Sequence, residues 1–308
     1  MVAVAWGAIV STSLVVWAET IWDQVATRTL VPGPALNVSI AYSAGIWEEV
    51  AKGLAVLLLY LVMRDEFDDV VDGIVYGAAV GLGFNFMESV TYMTHVYAIF
   101  SVQGAGQATF AAASQWYSRQ VLGLFFAHTT YTALVGAGIG LARQLPRRRE
   151  RVPSILSGFL AAIAAHFAWD AWVAYFPISS SPFALVEMHL RVLLMQGPFT
   201  SMVLVLLAMG LQVEGNALGR QLSAEAATGQ GAVLSEEVPV LVRPWQRFRA
   251  RARAFSQNGL GAYRRVNQLQ RAQLELAMER WHRERNEIDE PLAAEEELRR
   301  RVLLLRGA

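Results

Sequence analysis

Long apolar runs alternate with short polar breaks over the first two thirds of the chain, and then the pattern stops. Crossing a bilayer takes about 20 mostly apolar residues. Six runs meet that length, at roughly 2–22, 45–63, 72–100, 118–142, 153–176 and 188–212. The pattern predicts an all-α fold: a polytopic bundle of about six transmembrane helices over 1–212. A linker rich in small and polar residues is expected over 213–243. A charged, helical, cytoplasmic tail is expected over 244–308, with helices at 244–287 and 291–306. The first run resembles a signal peptide only superficially. It lacks a basic leader and a small-residue cleavage site, and Glu19 and Asp23 follow it, so it reads as a retained helix.

Charge sharpens this division. Of 26 Lys and Arg residues, ten lie in 1–212, and five of those fall between Arg143 and Arg151. Basic residues in short loops mark the cytoplasmic side. The loop RQLPRRRER (143–151) therefore faces inward, and counting outward from it puts the N-terminus and the tail in the cytoplasm. The loops at 101–117 and 177–187 are then external, and Trp47, Trp116 and Trp172 fall near the outer interface, as an aromatic belt would. The overall charge is balanced, and no basic patch carries the interleaved aromatics that single-stranded nucleic acid requires, so nucleic acid is not an expected partner. Without cysteine, neither a disulfide framework nor a thiolate metal site can form. The segment Trp245–Phe255 could lie on the inner membrane surface, or the tail could form a solvated helical hairpin.

Ionisable groups inside these spans cost roughly 2.5–3.5 kcal/mol each to insert, which makes them functional candidates. In the second span, GIWEEVAKGLAV, Glu48 and Glu49 can both reach Lys52 at four and three residues' spacing. The third, DGIVYGAAVGLGFNFMESVTY, repeats Gly73, Gly77 and Gly81 and then sets Phe84 one turn before Glu88. The fourth carries His128, with Thr132 one turn further on. The fifth, AAIAAHFAWDAWVAYF, places Asp170 one turn after His166, where a carboxylate can orient the imidazole. At 1.5 Å per residue, Glu88 and His166 lie about 24 and 20 Å from the inner face, and His128 and Glu49 about 15 and 6 Å from the outer one. All four sit at or outside the midplane. Two imidazoles and two carboxylates from separate helices suit a divalent metal such as zinc with one open position for water. A further carboxylate beside that water would act as general base. No Ser-based elbow, phosphate loop or HExxH competes with this hydrolytic reading.

The order EEVAK (48–52), DGIVYGAAVGLGFNFME (72–88), AHTTYTALVGAGIG (127–140) and HFAWD (166–170) resembles the PrsW family of membrane proteases, distant relatives of the CAAX prenyl endopeptidases and bacteriocin-processing enzymes. That family's pattern is EExxK, FxxxE, a His helix and HxxxD. Glu48, Glu49 and Lys52 match the first motif, Phe84 and Glu88 the second, His128 the third, His166 and Asp170 the fourth. The resemblance covers roughly 45–176. It implies glutamate-dependent hydrolysis of a peptide bond in a membrane-anchored substrate, an anti-sigma factor cut on the extracytoplasmic side in the best-known members. Two departures stand out: Ser89 follows Glu88 where the family usually has Asn, and the Arg-rich tail lies outside the pattern.

On this reading Glu49 activates water, with Glu48 the other candidate. His128, His166 and Glu88 bind a metal or stabilise the oxyanion. Asp170 orients His166, Lys52 keeps the glutamates ionised, and Phe84 and Thr132 support the site. Spacing leaves open whether the chemistry needs zinc or another divalent metal, or only a glutamate-activated water held by histidine. An alternative is a proton-coupled transporter or ion pathway built from the same buried Glu and His groups, although no repeat with matching broken helices is visible. A third reading is an inactive scaffold acting through the tail, which could take part in self-association or dock a cytoplasmic partner.

Overall fold

The computed structural model describes residues 1–30, 32–63, 67–145, 147–176, 183–284 and 292–307, and among them every regular element is helical. Two compact units emerge, Met1–Ala208 and Met209–Ala308.

The first unit contains α1 (Val2–Thr29), α2 (Pro34–Val62), α3 (Val70–Phe100), α4 (Ala105–Tyr117), α5 (His128–Gln144), α6 (Arg148–Tyr175) and the beginning of α7 (Ala184–Ala227). Among the described residues, four helices are long and apolar enough to cross a membrane: Val2–Thr29, Val70–Gln103, Arg148–Val173 and Ala184–Ala227. The other two expected spans fall short for different reasons. Helix α2 has the length, 29 residues, but Glu48, Glu49 and Lys52 interrupt its apolar run. Helix α5 has only 17 residues, about 25 Å.

The α3–α5 pair is the most extensive contact in this unit, and glycine makes it possible. A methyl group at Gly73 would collide with the Gly136 carbonyl, at Gly77 with that of Thr132, and at Gly81 with that of His128. Gly140 meets the Asp69 carbonyl in the same way. The two helices therefore run antiparallel, in register, with backbones touching at every turn. This register delivers His128 beside Phe84, whose ring centroid is 5.2 Å from the imidazole. Asp69 starts α3 by accepting hydrogen bonds from the amides of Val71 and Asp72. Helix α6 packs on α5 through Gly138 and Gly158, where Ser154 Oγ donates to the Gly138 carbonyl at 2.8 Å. The core around them includes Val56, Val80, Val135, Ile139, Ala162 and Ala165.

Three expectations are corrected. The predicted span 118–142 is not one helix. Residues 118–122 form a π turn, Gly123–Ala127 turn again, and α5 begins only at His128. Polar groups stabilise the break: Asn85 Nδ2 donates to the Arg119 carbonyl at 3.3 Å, and the hydroxyls of Thr129 and Thr130 donate to the carbonyls of Leu124 and Phe125. The expected loop 101–117 is helical over Ala105–Tyr117, after Gly104 turns the chain at φ +111°. The expected linker 213–243 is helical through Ala227, with a second short helix, α8 (Val238–Val242).

In the second unit, the last turns of α7 and α8 are joined by α9 (Pro244–Glu284) and α10 (Leu292–Gly307). Helix α9 is two helices meeting at Gly259, whose φ of +73° is a left-handed conformation. Leu218, Leu222, Val233, Leu241 and Ala277 form one small core, and Ala232, Ala272, Leu276 and Val302 another. Glu225, almost fully buried, accepts from Arg280 Nη1 at 2.6 Å and from Arg299 Nε and Nη2 at 2.6 and 2.9 Å. The expected helix ends at 285–287 and 291 lie outside the described residues.

Candidate functional site

Helices α2, α5 and α6 bring four ligand-type side chains together. Among the described residues, Glu48, Glu49, His128 and His166 each offer an atom lying within 4.8 Å of all the others, and all four are buried. Lys52, fully buried, sits within this group. Its Nζ is 2.6 Å from Glu49 Oε1, 3.1 Å from Glu48 Oε2 and 2.9 Å from His128 Nδ1. The Phe84 ring closes the other side of the ammonium at 4.2 Å. His166 is held at both nitrogens, Nδ1 to Glu49 Oε1 at 2.9 Å and Nε2 to Asp170 Oδ2 at 3.2 Å. The two imidazole centroids are 5.1 Å apart.

Glu88, expected among the metal ligands, lies outside that quartet but next to it. Its Oε2 is 2.6 Å from His128 Nε2 and pairs with Arg119, which comes from the π turn of the broken helix. The Arg119 guanidinium lies 4.3 Å above the Tyr92 ring. Ser89, the departure from the usual Asn, donates to the Asn85 carbonyl at 2.6 Å and accepts from Gln120 Nε2 at 2.7 Å. It ties the break to α3. Thr132 is fully buried, and its hydroxyl has no hydrogen-bond partner among the described residues.

A cavity of about 710 Å³ opens onto these groups, lined among others by Glu19, Glu48, Glu88, His128, His166 and Asp170. Three further lining residues are not singled out by the sequence pattern. Arg119 falls at the start of the predicted span 118–142, where the insertion-cost argument applied to Glu88 applies equally. Tyr131 stacks on His166 at 5.1 Å, and its buried hydroxyl has no partner among the described residues. Its signal is position, one turn after His128 on the same helix face. Gln196 is buried against the cavity with both amide atoms unpartnered among the described residues, and nothing local in the sequence marks it.

By donor type the set fits a divalent cation, which would take the space now filled by the Lys52 ammonium and free one nitrogen of each imidazole from its present partner. Two imidazoles and two carboxylates converge, all four buried, and Glu49 Oε2 is a buried carboxylate oxygen with no hydrogen-bond partner among the described residues. The set does not select zinc over other divalent ions.

The sequence pattern of a family described as "PrsW family intramembrane metalloprotease" matches residues 1–210. One relative, "Protease PrsW" of Geobacillus kaustophilus (strain HTA426), is 38% identical over 69 residues, a stretch covering 22% of this chain and 29% of the relative. The chain thus aligns with less than a third of that relative's length. No solved structure matches.

Proposed function

Because the chain belongs to the PrsW family of intramembrane metalloproteases, we propose that it is a multi-pass membrane endopeptidase that hydrolyses a peptide bond in a membrane-anchored protein. The supporting observation is the convergence of Glu48, Glu49, His128 and His166 within 4.8 Å at the wall of a large cavity. Glu49 takes the proton of the attacking water, with Glu48 the other candidate. Its Oε2 is the unengaged oxygen, while Oε1 is fixed by Lys52 and His166. Lys52 pairs with both glutamates and fixes their positions. Asp170 and Glu49 fix the plane of His166 from its two nitrogens, and an ion bound by this imidazole would displace one of them.

His128, His166 and Glu88 would hold the divalent ion, or the two histidines alone would stabilise the oxyanion, and Glu48 is close enough to join the ligands. When bound, such an ion, zinc or another, would polarise the scissile carbonyl and acidify the water. Arg119 keeps Glu88 ionised and in place beside His128.

In the orientation read from the loops, the N-terminus and tail are cytoplasmic and cleavage occurs toward the exterior. The family resemblance points to an anti-sigma-factor-like substrate. Metal analysis of the purified chain, paired with cleavage of a membrane-anchored reporter, tests the proposal. About one divalent ion per chain is expected, lost together with activity in His128→Ala and His166→Ala. Full cleavage by metal-stripped protein would remove the metal from the proposal, and full cleavage by both histidine variants would overturn the site.

A further inference from the structure

We infer that the N-terminal half of α9, Pro244–Asn258, is an interfacial helix that docks onto an anionic lipid surface. From Val238 to Leu274 the chain carries eight arginines and no acidic residue. Trp245, Phe248, Ala252 and Phe255 recur at spacings of three, four and three, which aligns them along one face. That face is turned outward: Trp245, Phe248 and Phe255 are 65%, 52% and 54% exposed, and Trp245 stacks on Phe248 at 5.4 Å. Phe248, Ala252 and Phe255 join Leu260 and Tyr263 in lining an apolar hollow.

Arginines border this stripe on both sides. Arg247 and Arg251 are turned back into the chain, donating to the Leu241 carbonyl and to Asn267 Oδ1, whereas Arg249 and Arg253 are exposed. A water-facing helix would present its charges and hide its aromatics, and this one presents both. Aromatic side chains flanked by arginine suit the boundary between headgroups and acyl chains, where each basic residue also gains from anionic lipid. Charge complementarity decides between lipid and a second copy, since pairing two such faces would set arginines against arginines. The left-handed Gly259 separates this 15-residue segment from the rest of α9, where Gln270, Ala272, Gln273, Leu276 and Ala277 are buried. The segment can therefore seat on the surface without disturbing the packed half.

The absence of cysteine allows a direct test. The full chain bearing Ala252→Cys, labelled with an environment-sensitive fluorophore, is reconstituted in nanodiscs of neutral or partly anionic lipid that carry a spin-labelled acyl chain. Quenching roughly threefold or more stronger in anionic discs is expected. Arg249→Gln with Arg253→Gln should remove that difference, and Trp245→Ser with Phe248→Ser should abolish quenching altogether. None of these exposed side chains supports the unit's core, so loss through misfolding is checked by an unchanged helical circular dichroism. Equal quenching in neutral and anionic discs, or none in either, would overturn the inference. So would burial of the fluorophore in detergent that grows with protein concentration, which would assign the face to a second copy.

Discussion

His166 Nδ1 lies 2.9 Å from Glu49 Oε1, joining α6 to α2 across 117 positions of sequence. The same ring is fixed at its other nitrogen by Asp170, so a flip of the ring is not free. The remaining oxygen of Glu49 has no hydrogen-bond partner among the described residues, and it is the atom proposed to take the water's proton.

Asp170→Asn should therefore leave the fold intact and reduce reporter cleavage by about 10–100-fold, the usual cost of losing a partner that orients a catalytic or metal-bound histidine. Comparing initial cleavage rates and thermal unfolding of the same preparations checks both halves of this expectation.

Arg119 and Glu88 form an ion pair whose side chains are only 20% and 13% exposed. Arg119→Gln leaves the carboxylate with His128 as its near partner and should destabilise the first unit by about 3 kcal/mol. Arg119→Gln combined with Glu88→Gln should recover much of that stability and none of the activity. A double-mutant cycle of unfolding free energies in detergent measures the difference.

Gly77→Ala should cost about 1–3 kcal/mol, because the new methyl meets the Thr132 backbone carbonyl and α3 and α5 must separate. Gly106→Ala is the control, since a Cβ there meets nothing and the helix gains propensity. Unfolding midpoints of the two variants should move in opposite directions.

In the second unit, partial burial would raise the Glu237 carboxyl, but hydrogen bonds from Arg306, the Leu234 amide and Gln273 outweigh it and hold the group below its ordinary 4.5. A carboxyl lowered by folding contributes stability that is complete above about pH 4.5 and is lost as pH falls through the folded value. Hydrogen exchange of the amides around 232–242 should thus accelerate below about pH 4.5 more than intrinsic chemistry predicts. Arg306→Gln should flatten that dependence.

The parts of the site that are legible in the sequence are those where membrane burial makes a residue conspicuous. Glu48, Glu49, Lys52, Glu88, His128, His166 and Asp170 stand out because ionisable groups are expensive within apolar runs. The glycine repeat likewise announces a close helix contact. The break before His128 is invisible because its residues, VLGLFFA, are as apolar as a continuous span, and hydropathy does not see hydrogen bonds from Asn85 to a carbonyl 34 positions away. Without that break, nothing in the pattern pairs Arg119 with Glu88. The tail hides its order in another way: Leu218 and Leu222 carry a helical spacing through the supposed linker, but the charges around them mask it. Which arginine meets Glu225 depends on residues 55 and 74 positions away, and no local pattern encodes that choice.

The most direct test is the cleavage rate of a membrane-anchored reporter by the Glu49→Gln variant, reconstituted at the same level as wild type. The substituted amide keeps the size of the carboxylate and can still hydrogen-bond, but it cannot accept the water's proton, so the rate should fall by at least about a hundredfold. Cleavage at the wild-type rate would contradict the assignment of Glu49 as the base.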